Sequence, residues 1–186
     1  MIAHPLGASL RALVQGAPCI WLPPYGMSVP QEQINGARAM PRHEDQKFLP
    51  YTADQMFDLV ADVAAYPQFL PWCAAARIRS DTPVDGGRIL EADLVISFKV
   101  FRERFGSRVT LLPDQRKIQT EYLDGPFKFL HSTWSFDPAP GGCNVQFFVD
   151  FEFKNAILQK IIGVVFNEAM QRIVRAFETR AAQLYG

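Results

Sequence analysis

Cysteine is scarce in this chain and scattered. Cys19, Cys73 and Cys143 are the only three. None belongs to a CxxC pair, and the odd number and wide spacing fit neither a disulfide framework nor a zinc site. A reducing cytoplasm suits such thiols. Long apolar runs are missing too. No stretch of about 18 apolar residues exists, so no helix is expected to span a membrane. Charge of one sign is not in excess, because 19 Lys and Arg balance 19 Asp and Glu. That balance argues against nucleic acid as the main partner, since phosphate binding draws on a basic surplus. Histidine is limited to His4, His43 and His131. No phosphate-cradling glycine loop, metal-ligand pair or nucleophile elbow is present. A catalytic residue, a catalytic cofactor and a metal are therefore not expected.

Regular patterning is missing from residues 1–39. Ala17 to Gly26 is broken by prolines and glycines, and the segment holds one acid, Glu32, and two bases, Arg11 and Arg38. An organelle transit peptide is one reading, although arginine and serine are sparse for it. A start codon placed too early is another, with translation beginning at Met27 or Met40. On either reading this segment is expected to be mostly disordered and outside the fold, with one short helix from Ser9 to Gln15.

What the chain does have is apolar bulk. It is 186 residues long, 48% of them hydrophobic, with 15 phenylalanines. That suits one domain with a sizeable core, or one domain plus a tail. An aromatic excess of this size needs a large core or an apolar ligand to lie against.

From residue 41 the pattern is legible. His43 to Phe48 reads as a strand, ended by Pro50-Tyr51-Thr52. Thr52 can cap a helix with Gln55 as its capping-box partner, and Met56, Phe57, Val60 and Ala61 share its stripe. A short helical turn follows near Val63 to Phe69, and Pro67 and Pro71 force a bend. Strand patterning then runs from Ala76 to Lys154. Leu90, Ala92, Leu94, Ile96 and Phe98 share one face with Glu91 and Asp93 on the other, and Val145, Phe147, Val149, Phe151 and Phe153 alternate with Gln146, Asp150 and Glu152. One face is buried and one is wet, as in an antiparallel sheet. Turn signals at Asp85-Gly86-Gly87, Pro113-Asp114, Asp124-Gly125-Pro126 and Pro138 to Gly142 help mark six strands besides the first.

Asn155 then caps a helix reaching about Leu184, roughly 45 Å long. Leu158, Ile162, Val165, Ala169, Ile173, Phe177, Ala181 and Leu184 form one stripe along it. The predicted class is α+β. A curved antiparallel sheet of about seven strands wraps a long C-terminal helix, with two short helices after strand 1.

Here a family resemblance enters. Tyr66-Pro67-Gln68-Phe69-Leu70-Pro71-Trp72-Cys73 resembles the YPxFLPWC signature of the coenzyme Q-binding START-like proteins. Gly125-Pro126-Phe127, Leu130 and Trp134-Ser135-Phe136 are similar to that family's GPFxxLxxxWxF stretch. The last helix fits as well, from Phe151-Glu152-Phe153 through Phe166 to Ala176-Phe177-Glu178-Thr179-Arg180-Ala181. The resemblance covers residues 40–186. The family begins close to Met40, with a start like Pro41-Arg42-His43, which favours the early-start reading. It implies a helix-grip fold and a ubiquinone carrier that supports respiratory electron transport and ubiquinone synthesis. Such a carrier would be cytoplasmic and peripheral at the inner membrane, on the matrix side in a mitochondrion. The same superfamily contains a ribosome-association toxin and aromatase/cyclase enzymes. The alternative function is therefore a translation inhibitor that binds a ribosomal subunit through its surface, with Arg172, Arg175 and Arg180 available to it. A cyclase is disfavoured by the missing acid–base set.

For a carrier the apolar positions matter most. Each buried methylene of a tail contributes about 0.8 kcal/mol. Leu94, Ile96, Phe98, Leu130, Trp134, Phe147, Val149 and Phe151 can form a cavity floor. Ile161, Ile162, Val165, Phe166, Met170, Ile173 and Phe177 can form its roof. The same residues would also fill a solid core. Tyr66, Ser107 and Tyr122 are candidates for the quinone head. Gly163 is expected to interrupt the helix near Ile161, Ile162, Val164 and Val165, where it is apolar on more than one side, and Lys154 and Lys160 flank this stretch. With Phe69, Leu70, Trp72 and Phe127 in neighbouring loops, this end is expected to be the ligand portal, an apolar rim meeting the bilayer. Tertiary packing of those loops on the helix is the alternative. His131 lies in the phase opposite Leu130, Ser132, Trp134 and Phe136 and reads as a surface histidine, while Cys73 reads as a packed thiol.

Overall fold

A computed structural model describes residues 42–98 and 101–186. The segment 1–39, with its expected helix from Ser9 to Gln15, lies outside the described residues, and so do His4 and Cys19.

The elements follow the order read from the sequence. β1 (Arg42–Leu49) leads into α1 (Ala53–Ala61) and a 3₁₀ turn, Val63–Gln68. Six strands follow: β2 (Cys73–Val84), β3 (Gly87–Phe98), β4 (Phe101–Leu112), β5 (Lys117–Asp124), β6 (Phe127–Ala139) and β7 (Gly142–Phe153). The last element is α2 (Ala156–Tyr185). The sheet is antiparallel with the order β1-β7-β6-β5-β4-β3-β2. Every pairing is a sequential hairpin except β1 on β7, where His43 faces Val149 and Leu49 faces Cys143.

Local chemistry explains the helix starts. Thr52 Oγ1 accepts from the Gln55 amide at 3.1 Å, and Gln55 Oε1 accepts from the Thr52 amide at 2.8 Å, a complete capping box. Asn155 Oδ1 accepts from the amides of Ile157 (2.8 Å) and Leu158 (3.3 Å), satisfying two orphan donors at the start of α2. Gly163 does not interrupt the helix. A Cβ there would stand in open space.

Irregularities bend the sheet. Bulges interrupt β2 twice, β4–β5 at Gly106/Ser107 and β6–β7 between Phe127 and Phe129, and each adds local twist. The β5–β6 turn requires glycine. Gly125 has φ +129°, and a Cβ there would come within 2.7 Å of the Arg104 carbonyl oxygen.

Both helices lie against one face of the sheet. Two aromatic clusters fill most of the space. In one, Trp134 stacks on Phe147 at 4.1 Å and meets Phe177 at 5.1 Å, and Phe177 touches Phe69 and Tyr66. In the other, Phe127 stacks on Phe153 at 4.5 Å and meets Phe105 and Phe151, and Phe166 of α2 caps Phe151 at 5.4 Å. Much of the phenylalanine excess therefore belongs to the core.

Two expectations need correction here. Leu184 does not continue the buried stripe, being 49% exposed. Tyr185 turns inward instead and meets Tyr51 at 6.1 Å. Phe127 is not an exposed rim residue but is buried in the second cluster. The β6–β7 bulge resets the alternation, so Phe127 and Leu130 face the same side despite their odd spacing.

Candidate ligand-binding site

Between the two clusters the core is not full. A cavity of about 200 Å³ lies between the sheet and α2. Its floor comes from inward positions of five strands: Leu94 and Ile96 on β3, Phe105, Ser107 and Val109 on β4, Ile118 and Thr120 on β5, Leu130, Ser132 and Trp134 on β6, Phe147 and Val149 on β7. Val60 of α1, Val63 and Tyr66 of the 3₁₀ turn, and Leu70 close one side, and Ile173 and Phe177 of α2 form the roof. Among the described residues no charged side chain lines it.

A second concavity, about 340 Å³, is lined by Trp72, Phe98, Val165, Glu168, Ala169 and Arg172. It lies next along the same three elements. Leu70 gives way to Trp72, Ile96 to Phe98, and Ile173 to Ala169 and Val165, one and two turns back along α2. Trp72 sits at φ 65°, an uncommon conformation for a bulky residue. Its carbonyl accepts from the Ser97 amide at 2.8 Å, and its ring meets the Phe98 ring edge-on at 5.2 Å. The Arg172 guanidinium lies 6.0 Å from that ring and donates to Glu168 Oε1 at 2.5 Å.

The expected site residues divide accordingly. Tyr66, Leu70, Leu94, Ile96, Leu130, Trp134, Phe147, Val149, Ile173 and Phe177 converge on the cavity. Trp72, Phe98 and Val165 line the outer groove. Phe69, Phe151, Phe166 and Met170 pack in the core beside the cavity rather than lining it. Ile161 and Ile162 are half-buried, beyond the cavity's end. Val60, Val63, Phe105, Val109, Ile118, Thr120 and Ser132 line the cavity without having been singled out from the sequence. The signal was there: Ser107 is in phase with Val109, Thr120 with Ile118, and Ser132 with Leu130 and Trp134.

Two of the three head-group candidates are otherwise engaged. The Tyr66 hydroxyl donates to the Val60 carbonyl at 2.6 Å, tying the 3₁₀ turn to α1, and its burial pushes the phenol's pKa well up, so it stays protonated. Tyr122 lies outside the cavity, its ring against Phe127 and its hydroxyl 3.4 Å from Lys154 Nζ. Ser107 does line the cavity.

On the outer face, directly behind this floor, four charges tie four strands together. Arg79 and Arg104 each donate to both Asp93 and Asp124. Hydrogen bonds from Arg79 are the main cause that holds both carboxyls below their usual pKa range. The ring closes over Gly106, where a Cβ would fall 2.7 Å from Asp124 Oδ2. His131 is on this outer face too, against Phe148 and Thr133. Cys73 is buried, and burial raises its thiol's pKa, the opposite of an activated nucleophile. Among the described residues no group of three or more His, Cys, Asp or Glu is placed to hold a metal ion, and no helix is long and apolar enough to cross a membrane.

Residues 49–178 match the family model described as polyketide cyclase / dehydrase and lipid transport. The chain belongs to that family. Its curved sheet and long C-terminal helix are the START-like arrangement. Among curated proteins it is 42% identical over 141 residues to the ribosome association toxin RatA of Rickettsia prowazekii, covering 74% of this chain and 94% of that one. It is 32% identical over 149 residues to the mitochondrial coenzyme Q-binding protein COQ10 homolog B of Xenopus laevis, covering 77% of this chain and 59% of that one. Among solved structures, the 18 kDa protein CC1736 of Caulobacter crescentus is 38% identical, with a TM-score of 0.67, covering 79% of this chain and 99% of that one.

Proposed function

We propose that the protein is a carrier for a ring-headed isoprenoid lipid of the ubiquinone type. The observation that carries this reading is the uncharged, largely apolar cavity of about 200 Å³ under α2. A cavity of about 150 Å³ accepts a benzene ring, so this one suits a substituted ring and is too small for a long tail. The ring goes in and the tail leaves along the groove past Trp72, Phe98 and Val165. Beyond the groove, Ile157 and Val164 of α2 are 68% and 82% exposed, with Lys154 and Lys160 beside them. That end of the helix meets the membrane from which the lipid is taken, the bases facing lipid head groups.

Mass spectrometry of an organic extract of the purified protein tests the reading. A co-purifying isoprenoid quinone is expected, and Val165→Asp, which places a charge in the tail's path, should abolish its retention. A lipid-free protein that sediments with ribosomal subunits would overturn the carrier.

The ribosome reading draws support from the 42% identity to a protein named as a ribosome association toxin. It would use the surface rather than the cavity. Of the three helix arginines, Arg172 is engaged with Glu168 and Trp72, and Arg180 with Gln68 and Phe69. Arg175 is exposed.

A further inference from the structure

Three inward positions on the cavity floor carry hydroxyls where alternation elsewhere brings apolar side chains. They are Ser107 on β4, Thr120 on β5 and Ser132 on β6, all lining the cavity. The register places them together. Thr120 faces Ser132 directly across β5–β6. Thr120 also faces Val109 across β4–β5, one inward place from Ser107. The result is a diagonal row of hydroxyls over three adjacent strands.

These hydroxyls have spare capacity. Ser107 is 0% exposed, and its Oγ donates to the Ala92 carbonyl at 3.5 Å, the outer limit of a hydrogen bond. Among the described residues, neither the Thr120 nor the Ser132 hydroxyl has a hydrogen-bond partner, although Ser132 is only 8% exposed. A hydroxyl facing the cavity keeps donor capacity that a ligand acceptor can use, and a ring that shut it in without offering an acceptor would leave it unpaired at a cost.

We propose that this row reads the oxygens of the bound ring. The hydroxyls donate to carbonyl or ether oxygens carried by a neutral head, and the apolar walls hold the ring between them. With no charged side chain in the lining, a phosphate or carboxylate head would be buried unpaired and is excluded. The inference rests on the carrier reading and adds the orientation and chemical class of the head.

Calorimetric titration of the full chain with two probes tests it. One probe is a ubiquinone analogue with a single prenyl unit; the other is a prenylated alkylbenzene of the same ring size without oxygen. The variant is Thr120→Val with Ser132→Ala, which removes both donors and nearly preserves shape. Wild type should prefer the quinone, and the variant should lose about tenfold or more in quinone affinity with alkylbenzene binding unchanged. Thr120→Ser, which keeps a hydroxyl, should restore part of the loss and guards against a folding defect. Unchanged quinone affinity in the variant would overturn the hydroxyl row and leave the carrier standing. Failure of wild type to bind either probe would overturn both.

Discussion

From Met170 onward α2 is built into the protein. Met170, Phe177 and Ala181 are buried, Phe177 touches Tyr66, Phe69 and Trp134, and Glu178 accepts from Lys47 of β1 at 2.5 Å. Before Met170 the same helix is more apolar but less used. Leu158 and Phe166 are buried, while Ile157 and Val164 stand in the open. Greater hydrophobicity therefore does not mean tighter packing. One half closes the core, and the other carries apolar surface that the protein does not cover. In the carrier reading that surplus serves the ligand and the membrane rather than stability.

The comparison breaks most readily at Phe177. Phe177→Ala should cost about 3–5 kcal/mol, measured by denaturant unfolding, because it empties the centre of the first aromatic cluster. A cost under about 1 kcal/mol would mean the C-terminal half is not the anchor. Gly163→Ala probes the other half. The glycine is helical and a methyl there meets nothing, so stability should rise by about 0.5–1 kcal/mol. No gain would indicate that the N-terminal half is already frayed when the rest unfolds. Val164→Asp should move stability least, within about 0.5 kcal/mol, yet reduce quinone uptake from vesicles. Unchanged uptake would remove this face from the proposed route.

Much of this was legible in the sequence because it rests on strong local rules. Thr52 with Gln55 and the Asn155 cap each appear where a side-chain oxygen meets orphan amides. The strands follow from alternation, and Leu94, Ile96, Trp134 and Phe147 reach the cavity as their phase requires. What failed was what alternation alone cannot carry. Phe127 turns inward because a bulge adds a residue, and pairing partners are needed to see it. Thr120 and Ser132 are hard to read as cavity positions because a hydroxyl breaks an apolar pattern, although their phase points inward. Phe151 and Phe166 matched a cavity wall and a solid core equally well, and only their contact in three dimensions assigns them to the core.

The hairpin order of the sheet has a consequence for how the chain matures. Strands β2 to β7 pair only with sequence neighbours, apart from β1 on β7, so the sheet can zip up from local contacts as it is made. The helix that covers it follows β7 and so leaves the ribosome after the whole sheet. Until then the inner face, with Trp134, Phe147 and Phe151, has no roof and is exposed to mispairing. A nascent chain at that stage presents its greasiest surface to the solvent, and the 30 residues of α2 end that interval.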